Sequence, residues 1–204
     1  MIFQFSFMLL ALGLCLMLSG VLSVFGYHVV RRGVIFVDLS LAQVAALGSS
    51  IGILLGYGEE HPLANFWLSL VFTLVGAILF SLFRRQSKAP VEALIGVTYA
   101  GAMALSLLVL EKSATGTEAL KEMLIGSIIT VSPHQVMWVA ALCIASLFFL
   151  GFAGKRLLLI TENPIEAKSK GIRIGLWDFL FYMTFGIVVT LAVKLTGVLL
   201  VFAF

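Results

Sequence analysis

The chain has 204 residues, 61% of them apolar and 11% charged, with a formal net charge of +3 and a mean hydropathy of +1.15. Soluble domains carry about 45–50% apolar and about 25% charged residues, so this composition excludes an ordinary soluble globule and describes a polytopic membrane protein. The length leaves no room for a further soluble domain of ordinary size, and the cations sit at the ends of apolar runs, where they report orientation rather than affinity for nucleic acid.

Ile2 to Phe25 is apolar apart from Gln4, Ser6, Ser19 and Ser23. It lacks the basic leader and small-residue cleavage site of a signal peptide, so it reads as a retained first span. Arg31, Arg32 and Gly33 close it. Val34 to Gly56 predicts a second span: 23 residues rising ~1.5 Å each give about 34 Å, enough for a hydrocarbon core of about 30 Å. The short acidic loop YGEEHPL follows, then a third span from Asn65 to Phe83, ended by Arg84, Arg85 and Lys88. Pro90 and Glu92 restart a helix, since proline suits the first turn and glutamate the positive end of the helix dipole; the fourth span reaches Leu110.

Glu111 to Ser132 is less regular. EKSATGTEALKEM is polar, and LIGSIITVS is too short to cross alone, which predicts a re-entrant or interfacial helix. Ser132 and Pro133 read as a cap and a first helical position before a fifth span from about His134 to Ala153. A long polar connection, Gly154 to Gly175, precedes a sixth span from Leu176 to Val193. Beyond Lys194 and Gly197 another apolar run begins, and the sequence stops partway through it at Phe204. The expected fold is all-α: a polytopic transmembrane helical bundle of six complete spans and the start of a seventh. Residues 1–204 form one domain that is expected to be a fragment lacking its C-terminal helices.

With the N-terminus outside, the connections 26–33, 84–90 and 154–175 are cytoplasmic and hold two, three and five Lys/Arg, against three on the other side. That distribution obeys the positive-inside rule.

Two stretches invite a functional reading. Asp38, with Gln43 after it, lies inside the second span, where a carboxylate costs roughly 2.5–3.5 kcal/mol to insert and usually faces a water-filled cavity or a polar partner. The alternative is a plain salt bridge to Arg31 and Arg32, or a role in capping a helix turn. In TENPIEAKSKGIRIG, Thr161 or Asn163 can cap, Pro164 and Glu166 fit a first turn, Lys168 and Lys170 a last turn, and Gly171 a stop. This predicts a short helix beneath the membrane, shaped either to dock in a partner's groove or merely to lie at the interface. Gly13, Gly20, Gly26, Ala45, Ala46, Gly48, Gly52 and Gly56 would let spans approach closely. Cys15 and Cys143 read as buried small hydrophobes. No phosphate-binding GxxxxGK[ST], HExxH or GxSxG occurs, and His28, His61 and His134 never pair at ligand spacing.

The run HVVRRGVIFVDLSLAQVAALG resembles the second span of metal-ion permeases of the ABC transporter superfamily, the membrane subunits of zinc, manganese and iron importers. EALIGVTYAGAMALSLLVL is similar to that family's next conserved span, and LIGSIITVSP to its Leu-x-Gly-(Asp/Ser)-Ile-Leu-x-Val-(Ser/Thr) signature. TENPIEAKSKGIRIGLWDFLFY resembles its coupling loop and following helix, and GVLLVFAF the start of its Gly-Val-Leu-Leu-Val segment. The resemblance implies a permease of the bacterial cytoplasmic membrane that forms a homodimer in lipid and moves divalent metal ions by alternating access. It further implies a cytoplasmic ABC ATPase partner that binds the ATP, an extracytoplasmic metal-binding protein, and no cofactor or nucleic acid on this chain. Carried over by residue, Asp38 and Gln43 would touch the transient ion path. Glu162, Asn163, Pro164, Glu166, Ala167 and Gly171 would form the ATPase-coupling element, with Ala167 allowing close approach. Many relatives have Asp-Ala-Leu-Ser-His in the second span; here Ala42 stands where the histidine would be, which leaves the ion's identity open, since imidazole suits zinc and oxygen donors suit manganese. The other readings are a permease of the same architecture for a chelate such as haem or a siderophore, and an intramembrane enzyme built on Asp38 with Asp178 as its second carboxylate.

Overall fold

The computed structural model describes residues 2–57, 61–86, 90–113, 116–126 and 131–203. Parts of the YGEEHPL loop, of the LIGSIITVSP signature and of the basic segment after the third span, including Lys88, lie outside the described residues, as do the side chains of Arg84 and Arg85. The described elements are all helices: α1 (Ile2–Arg31), α2 (Val37–Leu54), α3 (Pro62–Gln86), α4 (Val91–Glu111), α5 (Gly116–Ile125), α6 (Pro133–Glu162), α7 (Pro164–Ser169) and α8 (Ile174–Ala203). Six of these, all but α5 and α7, are long and apolar enough to cross a membrane.

Local chemistry sets most of the boundaries. α1 runs unbroken through its apolar residues and stops where Gly33 takes a left-handed φ of 66°, a conformation that costs glycine little. Backbone bonds from Val34 to Val29 (3.2 Å) and from Val37 to Val34 (3.2 Å) then fold the chain tightly into α2. α2 is therefore shorter than expected, because Val34–Phe36 are spent on the corner. At the start of α6, Ser132 Oγ accepts from the Gln135 amide while the Ser132 amide donates to Gln135 Oε1, a reciprocal capping box followed by proline.

α6 departs most from expectation. It continues past Ala153 to Glu162, so the first half of the polar connection is helical. GKRLLLITE contains no proline, and its cations are accommodated at the helix end; Arg156 lies over the Trp177 ring at 5.1 Å. Asn163 then ends α6 and caps α7 at once, its side chain accepting from the Glu166 amide, with Pro164 at the first position. Thr161 is thus an α6 residue and not the cap. Gly171, at φ 74°, releases the chain toward α8. α8 holds the expected sixth span and leaves helical geometry at Gly197 (φ 77°, ψ 162°), before the final apolar run.

α2 is the hub, packed against α3, α4 and α8. Ser69 Oγ donates to the Ala45 carbonyl at 2.6 Å, and the hydroxyls of Thr73 and Thr190 meet at 2.8 Å, tying α3 to α2 and to α8. Phe25 of α1 meets Phe181 and Phe185 of α8 at ring-centroid distances of 5.6 and 5.1 Å. Only some of the expected small-residue contacts form. A Cβ at Gly48 would meet Ser69 Cα at 2.8 Å, and one at Gly52 would collide with Asn65, so α2 and α3 approach through these positions. Gly13, Gly20, Gly26 and Gly56 have nothing within 4 Å of such a Cβ, so they bring no spans together within this chain. Gly126, just after α5, and Gly197 abut: a Cβ on Gly197 would lie 2.5 Å from the Ile125 carbonyl carbon. Both irregular backbones are thus covered by protein, as non-helical chain at membrane depth must be.

Candidate functional site

Asp38 sits half-buried in the first turn of α2, where the helix dipole favours a carboxylate. Its Oδ1 is buried and accepts no hydrogen bond among the described residues. Neither neighbouring arginine is its partner: Arg31 lies over the Tyr27 ring at 5.6 Å, and Arg32 pairs with Asp178 at 2.7 Å. A salt bridge from Asp38 to those arginines is thereby excluded. Gln43 is 2% exposed, and its Oε1 is likewise buried without a hydrogen-bond partner. Five residues along a helix rotate it by about 140° from Asp38, so the two do not share a face. Ala42, rotated by only about 40°, shares the Asp38 face and is buried. Among the described residues, no group of three or more His, Cys, Asp or Glu could hold a metal ion within one copy of the chain.

A second polar constellation joins the C-terminal ends of α1 and α6 to the start of α8. The Arg32 guanidinium donates from Nη1 to Asp178 Oδ1 at 2.7 Å and from Nε to Thr161 Oγ1 at 3.1 Å, and its carbon lies 4.3 Å from the Phe181 ring centroid. His28 Nδ1 is 3.3 Å from the same Thr161 hydroxyl. The Arg32 and Asp178 side chains are 0% and 4% exposed. Asp178 is therefore committed to a cation rather than poised beside Asp38, which removes the support for an intramembrane enzyme. From the sequence, Arg32 counts as an orientation signal and a candidate partner of Asp38, and its pairing with Asp178 is passed over. A clue to it is nonetheless there: an acid in the apolar run LWDFLF, on the same side of the membrane as the basic pair.

Beneath this cluster, α7 has six residues. Ala167 is fully buried within this chain, and the Ile172 amide donates to its carbonyl at 3.1 Å. This corrects the expected role of Ala167, because its methyl seats α7 on its own spans and is unavailable to a partner. The apolar group that points outward is Ile165, 83% exposed, flanked by the exposed Glu162, Asn163, Pro164 and Lys168. Glu166 holds the start of the helix through Asn163 and pairs with Lys170 at 2.8 Å. Sequence pattern does not single out Ile165, because an isoleucine beside proline looks like ordinary interfacial packing until its exposure is seen.

At the opposite end of the bundle, a cavity of about 590 Å³ opens among α2, α3, α5 and α8, with Ser50, Asn65, Ser69, Glu118, Met123 and Thr190 in its wall. Asn65 Oδ1 is buried there without a hydrogen-bond partner.

Residues 4–204 match the sequence profile of the ABC 3 transport family. An uncharacterized membrane protein of Synechocystis sp. is 27% identical over 203 residues, covering 98% of this chain and 69% of that protein. The manganese import system permease protein ScaB of Streptococcus parasanguinis is 23% identical, again over 98% of this chain and 69% of its own length. Among solved structures, PsaBC from Streptococcus pneumoniae in complex with Fab superposes with a TM-score of 0.76 at 21% identity, over 97% of this chain and 69% of that one. That last likeness is one of fold.

Proposed function

This chain belongs to the ABC 3 transport family as a multi-pass permease subunit of an ATP-binding cassette transporter in the bacterial cytoplasmic membrane, and from that premise we propose that it imports a divalent metal ion. The observation that carries the reading is the orphaned Asp38 oxygen in the first turn of α2. A carboxylate oxygen buried in a span without a hydrogen-bond partner is costly, and cation passage is a physical reason to keep it. The curated relative named for manganese import supports the cargo class.

In this reading the extracytoplasmic metal-binding protein delivers the ion above the cavity whose wall holds Ser50, Asn65 and Glu118. Oxygen donors of that kind suit a partly hydrated manganese ion. The working permease is read as a homodimer, in which a second copy adds ligands to those that the described residues of one copy supply. Gln43, on a different face of α2, serves at most as a separate waypoint. Two α7 helices seat on the ATPase subunits, which bind and hydrolyse the ATP, and Ile165 is the apolar anchor of each contact. Glu162, Asn163, Pro164, Glu166 and Gly171 define the helix that presents it.

Asp38→Asn tests the reading, since it preserves shape while removing the charge that offsets a divalent ion. Manganese uptake should fall by about tenfold or more, a loss equivalent to roughly 1.4 kcal/mol of ion stabilisation, while assembly with the ATPase remains. Undiminished uptake by a well-assembled Asp38→Asn transporter would remove Asp38 from the path. Competition between free manganese and an iron chelate in the same assay distinguishes ion transport from chelate transport.

A further inference from the structure

We propose that Arg32 is a positioning residue that conveys movement of α7 to the Asp38 end of α2. The inference rests on the reading of α7 as the ATPase-docking element and adds the route by which its displacement reaches the ion path.

The geometry is specific. α7 occupies residues 164–169, so the chain enters it from Thr161 and leaves it toward Asp178. One guanidinium holds both flanks, Nε donating to Thr161 Oγ1 at 3.1 Å and Nη1 to Asp178 Oδ1 at 2.7 Å. Its open face is closed by the Phe181 ring, 4.3 Å from the guanidinium carbon to the ring centroid. Tyr27, one turn back on α1, adds a hydroxyl contact to Glu162 Oε1 at 3.3 Å, and His28 meets Thr161. A push on α7 cannot shift the end of α6 or the start of α8 without moving Arg32 or breaking its bonds.

On its other side, Arg32 is joined to α2 by a stiff corner. The Arg32 amide donates to the His28 carbonyl at 3.0 Å, Val34 to Val29 at 3.2 Å and Val37 to Val34 at 3.2 Å. The Val34 and Val37 side chains are buried, and Asp38 comes next in the chain. The path from α7 to Asp38 is thus one side chain and six residues of tightly bonded backbone.

A buried ion pair is poor evidence for stability, because desolvation offsets much of the attraction; fixing one arrangement against another is its better-attested use. Arginine matters here for its planar fork, which reaches two acceptors and stacks on a ring; lysine keeps the charge but cannot hold both flanks.

The test uses the assembled transporter in proteoliposomes, reading manganese taken up per ATP hydrolysed, the thermal midpoint and the affinity for the ATPase. Arg32→Lys should lower the manganese-to-ATP ratio by about fivefold or more, the lower end of ordinary coupling between sites. Thr161→Val, which is isosteric and removes the hydroxyl that Arg32 Nε and His28 Nδ1 both reach and that donates to the Leu157 carbonyl, should lower the ratio by about twofold or more, the scale of a hydrogen bond lost from the α6 arm. The double change Arg32→Met with Asp178→Leu, which removes both members of this ion pair, should assemble and remain uncoupled. An unchanged ratio in Thr161→Val and Arg32→Lys, or full coupling in the double variant, would show that the pair only holds the helices together. Ile165→Ala, read for ATPase affinity, tests α7 docking separately, so a failure of that reading is told apart from a failure of Arg32 to set the ratio.

Discussion

Replacing Ile165 with alanine isolates the proposed contact between α7 and an ATPase partner, because the side chain is almost free of this chain's own packing. The substitution removes three carbons, at about 0.8 kcal/mol for each one buried. With the residue 83% exposed in the isolated chain, nearly all of that burial remains to be gained on docking, so the loss should be about 2 kcal/mol. At 1.4 kcal/mol per decade, the ATPase should bind about 30-fold more weakly. The permease itself should hardly notice, since surface changes of this kind stay within about 0.5 kcal/mol. The assay is the dissociation constant of the ATPase for the permease in nanodiscs, paired with a thermal unfolding curve of the permease alone. An unchanged dissociation constant would refute the docking role. A large fall in permease stability would refute the assumption that Ile165 packs on nothing in this chain. Ala167→Trp serves as the contrasting control: overpacking a filled site should cost about 1–3 kcal/mol in permease stability before any partner is added.

Three further outcomes are expected. Ala42→His places an imidazole on the Asp38 face of α2 and should shift metal preference toward zinc and slow turnover, because a site that binds tightly releases slowly; uptake competition between zinc and manganese checks it. Gly48→Leu should destabilise the bundle by about 1–3 kcal/mol, since even a Cβ there meets Ser69 Cα at 2.8 Å, whereas Gly20→Ala has open space and should be neutral or stabilising by up to about 1 kcal/mol; thermal unfolding compares the two. A cysteine at Ser169, the exposed last residue of α7, should resist an impermeant thiol reagent applied outside cells, while one at Lys112 should be labelled, and the reverse pattern would overturn the orientation.

Features under the control of local chemistry are legible in the linear sequence. Uninterrupted apolar runs mark five spans with modest boundary errors, since a helix in hydrocarbon must satisfy its own backbone. Ser132-Pro133 and Asn163-Pro164 mark helix starts, and Gly171 and Gly197 mark breaks, because capping and left-handed turns depend on the residues themselves. α6 overruns its expected end for a related reason: nothing before Asn163-Pro164 stops a helix, and Lys155 and Arg156 resemble loop residues although they lie on the last turns of a helix.

Composition and short-range bonding alone thus mark the class, the six described helices long and apolar enough to cross a membrane, and the capped helix α7. Tertiary packing decides which charges meet. Arg32 is adjacent in sequence to Arg31 and six residues from Asp38, yet its partner is Asp178, 146 positions away, because α1 and α8 pack through Phe25, Phe181 and Phe185. That choice leaves the Asp38 oxygen without a hydrogen-bond partner. The same packing turns Ala167 inward and Ile165 outward, and it uses Gly48 and Gly52 while leaving Gly13 and Gly20 idle. Each of these outcomes depends on the face that one helix presents to another, which a linear pattern cannot specify when nearly every residue on every face is apolar.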